Sequence, residues 1–233
     1  MSAATCHFVI PAAGKGLRFG AETPKQYLSL LGKPVLVHTI EALAPFAETI
    51  VVAIGRDDET RWQLLEKNFP LLQRCKVIEG GATRFESVQK ALGLLQGSGL
   101  VAIHDAVRPL IAEETLHRLI VTAEKEGAAI PYHPLSDSLR MLTAAEAAGQ
   151  ASVAVERAKY VAVQTPQIFR MELLQAAYAT SHQPAFTDDC AVYEYATKKS
   201  PALVEDPYPN IKITHSQDLA IAELLLLQKK RGY

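Results

Sequence analysis

Apolar residues along this chain recur with two different spacings. Near-continuous apolar runs fall at 8–13, 49–54, 75–78, Leu100–Ile103 and 127–132. Such runs, rich in valine, isoleucine and alanine and closed by Gly, Pro or Asp, suit strands of a sheet covered on both faces. Between them, apolar residues three and four apart predict helices over Val35–Leu43, Glu59–Asn68, 87–92 and 112–126. In the second of these helices Trp62, Leu64 and Leu65 are the expected core contacts. Alternating strands and helices predict an α/β fold with a mostly parallel sheet.

The second half keeps this rhythm with interruptions. A polar, proline-fixed turn, Gln164-Thr165-Pro166-Gln167, divides the apolar flanks of 161–170. Helices are predicted over 171–180, 190–196 and 217–229, with the leucines of 224–227 as a buried face. Leu203-Val204 reads as a short strand. The stretch 210–214 alternates like another, with Lys212 opposite Ile211 and Ile213. From 133 to 160 the pattern changes to two extended strands leaving the main body, although the alanines of 144–148 favour helix by propensity. An arm of that kind needs a partner surface for its apolar positions, so a homodimer is expected.

Length and composition narrow the class. The 233 residues suit one domain, 1–233, with the arm at about 136–159 as an excursion. A formal net charge of -1 argues against nucleic acid or a polybasic membrane contact as partner, while leaving room for a local cationic site. No basic N-terminal segment leads into a long apolar run, and no stretch is long enough to span a bilayer. Cys6, Cys75 and Cys190 are scattered without metal-ligand spacing, as in reduced cytoplasmic proteins.

Candidate chemistry begins in the opening stretch. The first strand runs into Gly14-Lys15-Gly16, and Arg18 and Lys25 follow. Glycines admit close approach of a ligand, successive amides can cradle an anion, and two cations can join them. The same residues also suit a plain tight turn. The spacing fits neither the dinucleotide fingerprint nor the common triphosphatase loop. A second double glycine, Gly80-Gly81, precedes a helix start, with Arg84 either at a ligand or solvated. The third stretch is His104-Asp105-Ala106-Val107-Arg108-Pro109, just past an apolar strand. There Asp105 could hold a metal or ligand hydroxyls, and Arg108 could reach a phosphate or simply pair with Asp105. His104 lacks a Ser or Cys companion and reads as structural.

Taken in order, these motifs resemble those of the 2-C-methyl-D-erythritol 4-phosphate cytidylyltransferase family of the non-mevalonate isoprenoid pathway. The match runs through Pro11-Ala12-Ala13-Gly14 to Arg18, Pro24-Lys25-Gln26-Tyr27, Gly80-Gly81 with Arg84 and Ser87-Val88, and His104-Asp105-Ala106 with Arg108-Pro109. It continues through Thr165-Pro166-Gln167, Thr187-Asp188-Asp189 and Asn210-Ile211-Lys212-Ile213-Thr214.

The resemblance implies a three-layer, Rossmann-like nucleotidyltransferase fold with a mixed, mostly parallel sheet and a projecting β-arm that joins a homodimer. It implies transfer of a cytidylyl group from CTP to 2-C-methyl-D-erythritol 4-phosphate, with release of pyrophosphate and with Mg2+ accompanying the triphosphate. Ala12, Ala13, Gly14 and Gly16 would bind the nucleotide, with Gly81 and Ser87 in the pyrimidine region. Arg18, Lys25, Arg157 and Lys212 would be the catalytic cations. Asp105, Arg108, Ser138, Arg157, Thr165, Thr187 and Lys212 would line the acceptor site, with Arg157 and Ser138 reaching a partner subunit's pocket. Asp105 is also the candidate metal ligand, on an ion held mostly by phosphates. The chain is expected to lack a fused cyclodiphosphate synthase domain. Alternatives within this reading are another polyol phosphate, such as ribitol 5-phosphate, or a non-catalytic nucleotide-binding protein. Three positions depart from the family pattern: Ser138 where threonine is frequent, Ala82 where some relatives carry an acid, and Cys190 where a small residue is common.

Overall fold

The computed structural model describes residues 6–14, 23–143 and 151–230. Lys15, Gly16, Arg18 and the alanine run at 144–148 lie outside the described residues. The elements in chain order are β1 (Cys6–Ala12), β2 (Ser29–Leu30), β3 (Lys33–Pro34), α1 (Val35–Leu43), β4 (Ala47–Ile54), α2 (Glu59–Asn68), β5 (Cys75–Glu79), α3 (Arg84–Leu92), β6 (Leu100–Ile103) and α4 (Glu113–Glu126). They continue with β7 (Ala128–Pro134), β8 (Arg140–Leu142), β9 (Ser152–Ala154), β10 (Val161–Val163), β11 (Gln167–Arg170), α5 (Met171–Tyr178), α6 (Asp189–Thr197), β12 (Ala202–Glu205) and α7 (Ser216–Lys230).

The main sheet has the order β10-β7-β11-β6-β1-β4-β5, with β12 beside β7. Strands β6, β1, β4 and β5 are mutually parallel. β11 runs antiparallel to both β6 and β7, which makes the sheet mixed. Alternate residues of the central strand explain its unbroken apolar run. Phe8 and Ile10 pack with Leu36 and Ile40 of α1, Leu65 of α2 and Leu116 of α4. Val9 faces the other way, with Val88 of α3, Leu174 of α5 and Tyr193 of α6. Helices cover both faces, so every position of the strand but the half-buried Pro11 at the crevice is buried, and truncating Ile10 to alanine would leave a cavity costing about 2–5 kcal/mol.

Local signals set the element ends. α4 stops at Gly127, whose φ of 88° and N–H bond to the Ala123 carbonyl make a left-handed cap that a β-carbon would strain. α6 starts at Asp188, whose side chain accepts from the Ala191 N–H. From β1 the chain goes to β4 on one side and later to β6 on the other. The loops leaving the carboxyl ends of these strands therefore diverge and leave a crevice.

Three expectations need correction. Leu64 is 60% exposed, while Trp62 and Leu65 are buried, because α2 turns only one stripe inward. Leu224 and Leu227 are exposed, and only Leu225 and Leu226 pack inward: four successive helical residues span more than one turn. The stretch 210–214 forms no strand. It is held by the Arg108 guanidinium donating to the Asn210 carbonyl at 2.7 Å, by Asn210 Nδ2 donating to the Thr165 carbonyl at 2.9 Å, and by a bond from the Ile213 N–H to Val107. Ile213 is nonetheless buried and Lys212 exposed, as the alternation required. The predicted arm is present as the antiparallel pair β8–β9.

Candidate active site

The crevice at the sheet's carboxyl edge encloses about 1270 Å³ and is lined by residues from 11–14, 24–26, 54–58, 79–84 and 105–107, with Glu86, Ser87, Lys90, Lys212 and Thr214. Its opening wall is the turn after β1. Gln26 fastens that turn: Nε2 donates to the Ala12 carbonyl at 2.7 Å and to the Gly14 carbonyl at 3.1 Å. Gln26 and Tyr27 are buried in a single 3-10 turn over Lys25–Tyr27, and the Arg61 guanidinium lies 4.8 Å over the Tyr27 ring. Lys25 is thus carried by a turn locked on both sides, and it lines the crevice.

The Gly80-Gly81 loop forms a second wall. A β-carbon on residue 80 would come within 2.5 Å of the Ala13 β-carbon, so glycine there is a condition of the two loops meeting. The Ser87 hydroxyl donates to the Thr83 carbonyl at 2.9 Å and accepts from the Gly81 N–H at 3.0 Å. Thr83 caps α3 by accepting from the Glu86 N–H.

The third wall holds a carboxylate among cations. Lys212 Nζ lies 2.8 Å from Asp105 Oδ2, Arg108 Nε 3.2 Å from the same oxygen, and Arg84 Nε 3.8 Å from Oδ1. Burial raises the Asp105 pKa, but Lys212, Arg84 and Arg108 outweigh it and hold the carboxyl below the usual carboxylate range. Arg84 is in turn held by Asp189, with two parallel bonds of 2.9 and 2.6 Å. Tyr178 donates to the same fully buried carboxylate at 2.6 Å. Two carboxylates thus face three cations, which leaves the wall net positive and suited to an anionic ligand. Arg108 is largely buried and bound to Asn210, so it braces the wall, whereas the side chain of Lys212 is 40% exposed and Arg84 34%.

His104 lies behind this wall, fully buried. Its Nε2 is 3.0 Å from the Arg108 carbonyl, and the Thr165 hydroxyl is 3.1 Å from Nδ1 and accepts from the Asp105 N–H at 3.0 Å. These partners define a neutral ring with Nε2 protonated and Nδ1 accepting. Burial pushes its pKa down to about 4, against the opposing bond to the Arg108 carbonyl.

Of the expected site residues, the crevice brings together Ala12, Ala13, Gly14, Lys25, Gly81, Ser87, Asp105 and Lys212. Thr165 and Arg108 stand behind the wall. Thr187 is exposed beside the α6 cap, and Ser138 and Arg157 lie on the arm, where Arg157 bonds the Ser136 carbonyl. Arg18 and Gly16 lie outside the described residues. Sequence reasoning missed the Arg84–Asp189–Tyr178 set, because 105 positions separate Arg84 from Asp189 and no local spacing announces the pair. It also missed Gln26 as the anchor of its motif. A buried polar residue beside two glycines was the available signal. Among the described residues no group of three or more His, Cys, Asp or Glu is placed to hold a metal ion. Asp105, already shared by three cations, does not suit a direct metal ligand.

A doubly wound α/β sheet with glycine loops and placed cations at its carboxyl edge is an arrangement that suits a nucleotidyltransferase. The sequence profile for 2-C-methyl-D-erythritol 4-phosphate cytidylyltransferase matches residues 6–228, and the chain belongs to that family. A Porphyromonas gingivalis protein of that name is 43% identical over 218 residues, covering 94% of this chain and 96% of the relative. The Bacteroides thetaiotaomicron protein is 41% identical over 220 residues, covering 94% and 98%. Among solved structures, the Thermus thermophilus 2-C-methyl-D-erythritol 4-phosphate cytidylyltransferase is similar with a TM-score of 0.76 and 31% identity, covering 95% of this chain and 98% of that one.

Proposed function

We infer that the crevice binds CTP and the phosphate of 2-C-methyl-D-erythritol 4-phosphate side by side. The chain transfers the cytidylyl group of CTP to that acceptor, giving 4-diphosphocytidyl-2-C-methyl-D-erythritol and pyrophosphate. The observation that carries the placement is the positive wall of Arg84, Arg108 and Lys212 around Asp105, facing Lys25 and the opening loop across one crevice.

An oxygen of the acceptor phosphate attacks the α-phosphorus, and a new P–O bond forms as the bond to the α,β-bridging oxygen breaks. That oxygen leaves on pyrophosphate with the electron pair. The attacking oxygen is already anionic, so no protein nucleophile or base is needed, and catalysis is positioning plus charge stabilisation. In this reading CTP enters as its Mg2+ complex, the ion held by phosphate oxygens. Lys25 meets charge growing at the α-phosphate and leaving group, together with Arg18 by the family resemblance. Lys212 orients the acceptor phosphate. Ala12, Ala13 and Gly14 form the nucleotide turn, and Gly81 and Ser87 face the pyrimidine.

The same reading makes the protein a homodimer through the arm. Its support is apolar surface: Met141, Leu142 and Val153 on β8–β9, and Tyr160, Val161 and Val163 at edge strand β10, are all more than a third exposed. Arg157 and Ser138 would then complete the partner subunit's acceptor site. Among the described residues no helix is long and apolar enough to cross a membrane. A cytoplasmic location is supported by three free thiols.

The test is pyrophosphate release with CTP and Mg2+, offering methylerythritol phosphate and ribitol 5-phosphate in turn. Release with the first and at most traces with the second is expected. Equal rates would reassign the acceptor, and no release with either would leave a nucleotide-binding protein. Chelator should abolish turnover and Mg2+ restore it.

A further inference from the structure

We propose that Glu86 is a positioning residue for nucleotide selection, fixing the Gly80-Gly81-Ala82 loop so that it offers acceptors and not donors to the pyrimidine edge. The proposal rests on the reading that places the pyrimidine of CTP at Gly81 and Ser87.

Glu86 is the third residue of α3 after its cap, Thr83. In the usual reciprocal arrangement, a carboxylate at that place returns to the N–H of the cap residue itself. Here Oε2 accepts from the Ala82 N–H at 2.8 Å, one residue earlier and inside the loop. The loop also passes so close to α3 that a β-carbon on residue 81 would lie 2.2 Å from the Glu86 β-carbon and 2.8 Å from Oε2, so glycine at 81 is what lets the loop reach this carboxylate.

All three successive N–H groups of the loop are engaged internally. Gly80 donates to the Ile54 carbonyl at 2.8 Å, Gly81 to the Ser87 hydroxyl at 3.0 Å, and Ala82 to Glu86. Lys90 Nζ occupies the Gly80 carbonyl at 2.9 Å. The carbonyls of Gly81 and Ala82 accept no bond from the described residues. The loop, with the Glu86 carboxylate beside it in the crevice wall, thus presents oxygen acceptors. The exocyclic amino group of cytosine donates to such a surface. Uracil places a carbonyl there, leaving acceptors facing one another without a proton between them. Without Glu86 the Ala82 N–H becomes an open donor that a uracil carbonyl can use.

The experiment compares Glu86→Ala, Glu86→Gln and Glu86→Asp in the full chain. Steady-state kinetics with CTP and UTP at saturating polyol phosphate are paired with calorimetric binding of each nucleotide. For Glu86→Ala the CTP:UTP ratio of kcat/KM should fall about tenfold or more, through the nucleotide KM, with kcat on CTP and the acceptor KM within about twofold of wild type. Glu86→Gln keeps an acceptor for Ala82 and should keep the ratio within about threefold. Glu86→Asp keeps the charge but is one methylene too short, and should behave like alanine. It carries the test if the alanine variant does not fold. Unchanged nucleotide preference in folded Glu86→Ala or Glu86→Asp overturns the proposal, as does a Gln variant as impaired as Ala. Wild type that binds CTP selectively yet transfers nothing would overturn the functional reading instead, and the binding preferences of the variants would still decide the role of Glu86.

Discussion

Lys212 Nζ sits 2.8 Å from Asp105 Oδ2, on a segment that joins no sheet and is held in place by Arg108 and Asn210. The ammonium is therefore aimed by a carboxylate and by the backbone behind it, while remaining open to the crevice. An incoming phosphate would share this cation with Asp105 and would not have to recruit it from solvent. Lys212→Ala should raise the KM for the acceptor phosphate about tenfold or more and also lower kcat, since a misplaced nucleophile loses in-line geometry. The KM for CTP should change little. An acceptor KM within about twofold of wild type would remove Lys212 from the acceptor site.

Lys25 is predicted to behave differently. Its turn is locked by Gln26 and Tyr27, so the backbone that carries Lys25 is held at the crevice. Lys25→Ala should lower kcat about 100-fold with a smaller change in the KM for CTP, the signature of an interaction made mainly in the transition state. Arginine should not rescue it, because a planar fork does not replace a compact ammonium. Varying both substrates in steady-state kinetics, with folding checked by circular dichroism, tests this. A kcat close to wild type would return Lys25 to the status of a turn residue.

His104 predicts a pH effect on stability. The unfolded chain takes up this proton near the ordinary value of 6.5, but the folded chain only near about 4. Between those values the unfolded state binds more protons, so the contribution is present above pH 6.5 and is lost as pH falls toward 4. Across the window the loss is at most about 3 kcal/mol. His104→Gln, which can donate to the Arg108 carbonyl and accept from Thr165 without titrating, should flatten this part of the profile. Denaturant midpoints for both proteins at pH 7, 6, 5 and 4.5 provide the comparison, and parallel curves would contradict the assignment.

The arm predicts a separable assembly. Deleting residues 139–155 removes β8 and β9 but leaves the main sheet intact. The shortened chain should be a folded monomer with weakened acceptor binding, because Arg157 would no longer be held across an interface. Light scattering gives the mass and calorimetry the binding. Fully active wild type that stays monomeric at all workable concentrations would refute the dimer.

The sequence by itself determined the strands and helices of the core, the glycine turns after β1 and β5, and the family. Those depend on features a linear chain displays: continuous apolar runs for doubly covered strands, helical periodicity, and short motifs whose residues act on the same turn. Tertiary structure decided what distant residues do to one another. It set Arg84 against Asp189, 105 positions away, and gathered Arg84, Arg108 and Lys212 on one carboxylate. It also made 210–214 a strap held by side chains and a single backbone bond to Val107 where alternation had suggested a strand, because alternation fixes which residue faces inward but not whether a neighbour offers a row of free backbone groups to pair. The exposure of Leu64, Leu224 and Leu227 has the same origin. A helix presents each residue in a direction fixed by its own geometry, and only packing determines which directions are covered.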